Sequence, residues 1–210
     1  MERYKNSCYW DIDGNISNDS DEEVFFADKE RMLHLFGDIN ALNCASVAFV
    51  IDKINKQDDA KEDELKTFER KPIKLYINSF GGSVYDMWFL ADTIAASKTP
   101  VHTVCTGYAM SAAFVIFLAG HRRYMSRHAT LMYHQIYCWR SGKYQDLVDD
   151  RKHTDFLNEM IEDYVVERTK LPKKDLLKIR EKKRDTYFSA EEAKELGITD
   201  EILNSLTSAV

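Results

Sequence analysis

The sequence predicts an α/β fold in which helices cover a mostly parallel sheet. Strand-like and helix-like segments alternate along most of its 210 residues, which is typical of parallel strands joined by right-handed crossovers. Two predicted strands run into sharp turns, S-F-G-G-S (79–83) and A-M-S-A-A (109–113), and a helical pattern follows each turn. The length suits one domain of this class.

The first β-α unit is predicted to begin at Arg31. The segment M-L-H-L-F-G (32–37) has the pattern of a short buried strand that ends at Gly37. The stretch 55–71 carries many charges of both signs, which favours a solvated insertion, with a docking loop as the alternative. The helix between strand and insertion is predicted to bury a face formed by Leu42, Ala45, Phe49 and Ile54.

The remaining elements follow from the same periodicities. Ser189 and Glu192 have the spacing of a capping box, which predicts the beginning of a short helix that Gly197 ends. The other predicted strands are 73–78, 101–105, 123–125 and 130–134, and the other predicted helices are 84–97, 112–119, about 145–168 and one that follows Pro172.

Composition excludes several classes of function. The net charge of -6 disfavours binding to a phosphate backbone, and the basic run 178–184 reads as a solvated helix end. The four cysteines are scattered without a C-x-x-C pair, so neither a metal site nor a disulfide framework is predicted.

The N-terminal region is predicted to differ from the rest of the chain. Residues 1–30 are polar and acidic, which indicates a mobile arm with one short strand at 24–27. No signal peptide or membrane span is apparent, so we expect a cytoplasmic protein.

Ser111 is the first candidate for chemistry, because it lies where a predicted strand turns into an apolar helix. Such a turn exposes the side chain beside free amides at the helix N-terminus. The neighbouring residues 107, 109, 112 and 113 are all glycine or alanine, so a substrate backbone could approach the hydroxyl. An ordinary helix N-cap would have the same pattern.

Three further features could complete a nucleophilic site. His134 ends an apolar strand and could act as general base, while Asp185 could orient the imidazole. The Gly81-Gly82 turn could supply amides to an oxyanion. Taken singly, each also fits a structural interpretation: a hydrogen-bonded histidine, a surface aspartate and a simple turn.

Together these segments resemble the proteolytic subunit of Clp protease, ClpP. The resemblance extends from about Arg31 to Ile202 and depends on four motifs in the correct order: N-S-F-G-G-S-V (78–84), G-Y-A-M-S-A-A (107–113), L-M-Y-H-Q (131–135) and R-D-T-Y-F-S-A-E-E-A-K-E-L-G-I-T-D-E-I (184–202). It implies a ClpP/crotonase-like spiral of β-β-α units across 31–205. A handle, made of a strand at 135–144 and the helix after it, would protrude at about 135–170.

The resemblance also implies the site and its partners. The nucleophile corresponds to Ser111, the general base to His134 and the orienting acid to Asp185. The oxyanion amides correspond to Gly82 and Ala112. The implied protein needs no cofactor or metal, forms two stacked heptameric rings, cleaves polypeptides and works with an AAA+ unfoldase that hydrolyses the ATP.

Departures from the family pattern keep alternatives open. Phe80 stands where proline is usual, Ala112 replaces a common methionine, and the handle reads I-Y-C-W-R-S-G (136–142) instead of Pro-Leu-Gly-Gly. The leading hypothesis is a serine endopeptidase. The rivals are a phage-type prohead protease of the same fold, a non-catalytic ring subunit that regulates an active paralogue, and a crotonase-type acyl-CoA enzyme, which would not need the three triad residues.

Overall fold

Strands and helices alternate through residues 31–203, which are the residues that the computed structural model describes. The predicted arm (1–30) and its strand at 24–27 lie outside this range. In chain order the elements are β1 (Met32–Ile39), α1 (Ala41–Glu64), β2 (Ile73–Gly82), α2 (Val84–Ala96), β3 (Val101–Met110), α3 (Ala112–Ala119), β4 (Arg122–Ser126), β5 (Thr130–Tyr133), α4 (Tyr144–Arg168), α5 (Lys173–Lys182), β6 (Thr186–Phe188), α6 (Ala190–Glu195) and β7 (Glu201–Leu203).

The strands of this range form one sheet. Its main path is β1-β2-β3-β4-β7, while β5 pairs with β3 and β6 pairs with β5. Every pair is parallel except β5 and β6, so the predicted mostly parallel α/β sheet is confirmed. The central strand β3 has different neighbours along its length: His102–Cys105 pairs with β4, whereas Tyr108–Met110 pairs with β5.

A bulge in β3 separates these two halves. Ile77 of β2 is opposite Cys105, but Ser79 is opposite Ala109, so two steps along β2 correspond to four along β3. The Asn78 side chain accepts a hydrogen bond of 3.2 Å from the amide of Tyr108. A Cβ atom on Gly107 would lie 2.2 Å from Asn78 Oδ1, so glycine is needed for this close approach.

Helix α3 lies at the centre of the main apolar core. All eight of its residues, A-A-F-V-I-F-L-A, are buried, as expected for a helix that is apolar on every side. The Thr103 hydroxyl of β3 donates a hydrogen bond of 2.7 Å to the carbonyl of Phe117. The helix is therefore fixed to the strand that precedes it, and the turn at Ser111 is held from both sides.

The predicted end of β1 at Gly37 is wrong. The strand continues to the buried Ile39, and its pairing with β2 shifts between Phe36 and Asp38. Gly37 has φ +77°, a left-handed conformation that glycine adopts at little cost. The glycine therefore forms an irregularity within the strand.

The predicted buried face of α1 is also wrong, since Leu42 and Phe49 are about half exposed. The helix instead buries a face rotated toward Cys44, Val47, Ala48 and Ile51. Apolar residues surround the first turns of this helix, so periodicity alone does not select the face.

The charged stretch 55–71 is a loop only in its second part, because α1 continues to Glu64. Asp58 is fully buried and accepts two hydrogen bonds of 2.6 Å from Arg31, and another of 2.8 Å from Thr99. Burial tends to raise the pKa of this carboxyl, but these partners outweigh burial and lower it. The ion pair between Asp58 and Arg31 therefore fixes the first part of the predicted insertion, which belongs to α1.

The predicted handle divides into a helix and an irregular segment. Helix α4 matches the predicted handle helix, whereas residues 134–143 form neither strand nor helix. No strand of the described range pairs with this segment, and an extended strand requires a hydrogen-bonded neighbour. The expected handle strand is therefore absent from residues 31–203 of this single chain.

Candidate active site

Ser111 occupies a strained turn between β3 and α3. Its backbone has φ +54° and ψ -123°, and its side chain makes no capping hydrogen bond, although it holds the N-cap position. Such a conformation costs a non-glycine residue about 1–3 kcal/mol. Hydrogen bonds of 3.0 Å from the Ser111 amide to Met132 and from the Phe114 amide to Ser111 hold the turn in place. The hydroxyl is thus directed away from the helix.

The side chain of His134 is hydrogen-bonded to the Ser111 hydroxyl. It follows β5 directly, and the parallel pairing of Met110 with Met132 brings the ends of β3 and β5 together. The distance between His134 Nε2 and Ser111 Oγ is 2.7 Å, a short hydrogen bond. The imidazole can therefore accept the hydroxyl proton in the tautomer that leaves Nε2 unprotonated.

Asp185 approaches the opposite nitrogen of the same ring. In the antiparallel pairing of β5 and β6, Tyr133 is opposite Thr186, so the next residue outward on each strand brings His134 beside Asp185. The distance from His134 Nδ1 to Asp185 Oδ1 is 3.5 Å, and the Asp185 side chain is 54% exposed. This separation is longer than an N–H···O hydrogen bond, and the contact is ionic only when the imidazole is protonated.

The Gly81-Gly82 turn lies against the beginning of α3. A Cβ atom on Gly81 would lie 2.7 Å from Ser111 Cβ and 3.1 Å from the amide nitrogen of Ala112, so only glycine fits here. A Cβ atom on Gly82 would meet the Ile39 carbonyl oxygen at 2.2 Å. Ala112 is the first residue of α3, and its amide has no acceptor within the helix. The glycine turn is therefore packed against Ser111 and the beginning of α3.

Phe80, the family departure beside this turn, has an aromatic partner. Its ring stacks on Tyr108, with 4.2 Å between the ring centroids. Tyr108 lies within the bulge of β3 and Phe80 directly precedes the glycine pair on β2, so the stack links the bulge to this turn.

A thiol also lies on β3, at Cys105. It is fully buried, and burial raises the pKa of its thiol to about 12. The thiol therefore stays protonated at neutral pH and does not compete with Ser111.

Sequence reasoning missed several polar residues that support the site. Asn78 holds the bulge of β3, while Asn158 of α4 accepts a hydrogen bond of 3.0 Å from the amide of Ile136, two residues after His134. Glu162, one turn beyond Asn158, is also buried. The signal that could have revealed the last two is a pair of polar residues, four apart, in the apolar stripe of a long helix.

Neither a metal site nor a membrane span is found in the described part of the chain. Residues 31–203 contain no cluster of three or more histidine, cysteine or acidic side chains placed to hold a metal ion. Their helices also do not combine the length and apolarity that crossing a bilayer requires.

The fold and site together define an α/β protein in which Ser111 and His134, at the carboxyl ends of the parallel strands β3 and β5, lie beside Asp185, which precedes the antiparallel strand β6. A family model described as Clp protease matches residues 49–206. Subunit 1 of the ATP-dependent Clp protease proteolytic subunits of Prochlorococcus marinus is 38% identical over 137 residues, which are 64% of this chain and 69% of the relative. The proteolytic subunit of Deinococcus radiodurans is 34% identical over 134 residues, 63% and 65% of the two chains.

The chain belongs to the Clp protease family. Its match to the family model covers most of the sequence and includes β2, β3, β5 and β6, the strands that carry the site. The fold is therefore the ClpP/crotonase-like fold that the resemblance implied.

The strain at Ser111 gives a stability prediction. The free energy of unfolding of Ser111→Gly, measured by urea denaturation, should exceed that of Ser111→Ala by about 1 kcal/mol. Glycine removes the strain of the positive φ at this position, whereas alanine keeps it. Both variants lack the hydroxyl, so alanine is the matched control. Equal stability, or a less stable glycine variant, would show that this backbone is unstrained.

Proposed function

We propose that this protein is a serine endopeptidase that cleaves polypeptides through an acyl-enzyme. The observation that carries the proposal is the 2.7 Å contact between Ser111 Oγ and His134 Nε2, with Asp185 at the other ring nitrogen. Nucleophile, base and orienting acid in this order are the components that peptide hydrolysis by serine requires. Membership of a protease family supports the same chemistry.

In the first step, Ser111 Oγ attacks the carbonyl carbon of the scissile peptide bond as His134 Nε2 takes the hydroxyl proton. The carbonyl oxygen becomes negative, and the amides of Gly82 and Ala112 stabilise it. Both donors belong to the backbone, so the family departures at positions 80 and 112 do not remove them. The intermediate collapses with loss of the amine, which leaves with the proton from His134.

In the second step, water replaces the amine. His134 takes a proton from the water as the water oxygen attacks the ester carbonyl. The bond between the carbonyl carbon and Ser111 Oγ then breaks, and His134 returns the proton to Oγ as the acid product leaves. Asp185 stabilises the charged imidazole in both steps and selects the tautomer with a proton on Nδ1. Closure of the 3.5 Å gap between His134 and Asp185 would strengthen this effect.

We further propose a ring assembly of two stacked heptamers that encloses these sites. The irregular segment 134–143 and the beginning of α4 expose large apolar side chains, and a neighbouring copy would cover them and supply a strand partner. These side chains are Tyr137, Trp139, Tyr144 and Leu147. In the cytoplasm, an AAA+ unfoldase would deliver substrate polypeptides and hydrolyse the ATP.

The direct test of the chemistry is Ser111→Ala. Cleavage of a fluorogenic peptide by the purified protein should fall to background, because no other nucleophile replaces the hydroxyl. Ser126→Ala, at the end of β4, is the control and should keep full activity. Hydrolysis that persists in Ser111→Ala would contradict the proposal, and an inactive wild-type ring would favour the regulatory subunit.

Native mass spectrometry tests the assembly. The wild-type protein should give a species of fourteen chains, and Trp139→Ser should shift it toward seven, because the exposed indole would lie at the contact between rings. Leu65→Ser changes an exposed apolar residue far from the handle in sequence and should keep fourteen. A wild-type protein that stays monomeric at micromolar concentration would contradict the ring.

A further inference from the structure

Helix α4 buries a carboxylate whose oxygen atoms lack hydrogen bonds. Glu162 is 1% exposed, and no described residue donates a hydrogen bond to either oxygen. Arg180 of α5 is in ionic contact, with 3.3 Å between its Nη1 and Glu162 Oε1, but the alignment is not that of a hydrogen bond. A buried carboxylate is costly unless a positive charge compensates it, so the position of Arg180 matters to this site.

The surrounding charges show how strongly Glu162 depends on Arg180. Burial raises the pKa of the Glu162 carboxyl, and Arg180 and then Lys173 of α5 oppose that shift. Glu159 and Asp163, the acidic neighbours on α4, raise the pKa further. The ionised form of Glu162 is therefore stabilised mainly from α5.

The same face of α4 contacts the chain just after His134 and acts electrostatically on the residue just before it. Asn158, four residues before Glu162, binds the amide of Ile136. Tyr133, the residue before His134, is buried, and the charge of Glu162 adds to burial in raising the pKa of its phenol. Glu162 thus lies near enough to the end of β5 for its charge to act on Tyr133, the residue before His134.

The ion pair between Glu162 and Arg180 also holds α5, the helix that precedes Asp185. Arg180 lies in the last turn of α5, and its carbonyl accepts a hydrogen bond of 3.2 Å from the amide of Lys183. Lys183 has φ +51° and ends the helix in a left-handed turn. Asp185 follows two residues later, so a displacement of Arg180 would move this carboxylate relative to His134.

We propose that the Glu162–Arg180 ion pair is a positioning element that sets the distance between Asp185 and His134. It joins α4, which supports the His134 strand, to α5, which delivers Asp185. The proposal rests on the proposed function, because it assigns the pair a role through the triad. Loss of the Glu162 charge releases α5, lengthens the Asp185 contact and slows proton transfer while substrate binding is unchanged.

The chain contains a matched control for this experiment. Asp163, next to Glu162, pairs with Lys173, so it also joins α4 to α5, but both side chains of that pair are exposed. Asp163→Asn removes an ion pair between the same helices without touching the buried contact. An exposed pair of this kind contributes little, so this variant should behave as the wild type does.

The test measures kcat and KM of Glu162→Gln, a variant that keeps the side-chain volume and removes the charge. We expect kcat to fall between about tenfold and a hundredfold, as for a misplaced catalytic group, with KM unchanged and Asp163→Asn equal to wild type. In an Asp185→Ala background, Glu162→Gln should cause no further loss, because its effect passes through Asp185.

Three outcomes would overturn the inference: a wild-type kcat in Glu162→Gln, an equal loss in Asp163→Asn, or a full additional loss in the Asp185→Ala background. If Glu162→Gln does not fold by circular dichroism, Arg180→Lys and Arg180→Met replace it. Lysine should preserve kcat and methionine should lower it, and a wild-type kcat with methionine would contradict the proposal. A wild-type kcat in Asp185→Ala would instead contradict the proposed function.

Discussion

The division of β3 between two neighbouring strands determines the geometry of the site. Before the bulge, residues 102–105 of β3 pair with β4 in the regular parallel sheet. After the bulge, residues 108–110 pair with β5. Gly107 and Asn78 make this possible, because the amide side chain occupies the space that a Cβ atom would need. The pairing of residues 108–110 with β5 brings Ser111 within hydrogen-bonding distance of His134. The position of the proposed nucleophile therefore depends on this bulge.

The site then combines a rigid part with an adjustable part. Ser111 is held between the buried helix α3 and the end of β5, and the glycine turn packs closely against it. Asp185 is more exposed and lies at a longer distance from its partner. In the proposed mechanism the nucleophile and base are therefore preorganised, and in our proposal for Glu162 and Arg180 the position of the orienting acid depends on the packing of α5 against α4.

Elements that depend on local sequence patterns can be predicted from the sequence. Features that depend on contacts between residues far apart in the chain cannot. The strand, turn and helix around Ser111 follow from local periodicity and small residues, whereas the meeting of His134 with Asp185 depends on the register of β5 and β6 and came only from the family resemblance. Helix α1 continues past the predicted start of the insertion, where Asp58 is held by Arg31, 27 residues away. The predicted handle strand at 135–144 has no hydrogen-bonded neighbour among residues 31–203, and a strand requires one.

In the proposed mechanism, one serine, activated by His134, is the nucleophile. The most direct measurement is peptide mapping by mass spectrometry after reaction with a fluorophosphonate, which forms a stable bond only with an activated hydroxyl. We expect one adduct per chain, on Ser111, and no adduct when His134 is replaced by alanine. An adduct on a different serine, or labelling of Ser111 that does not depend on His134, would contradict the account.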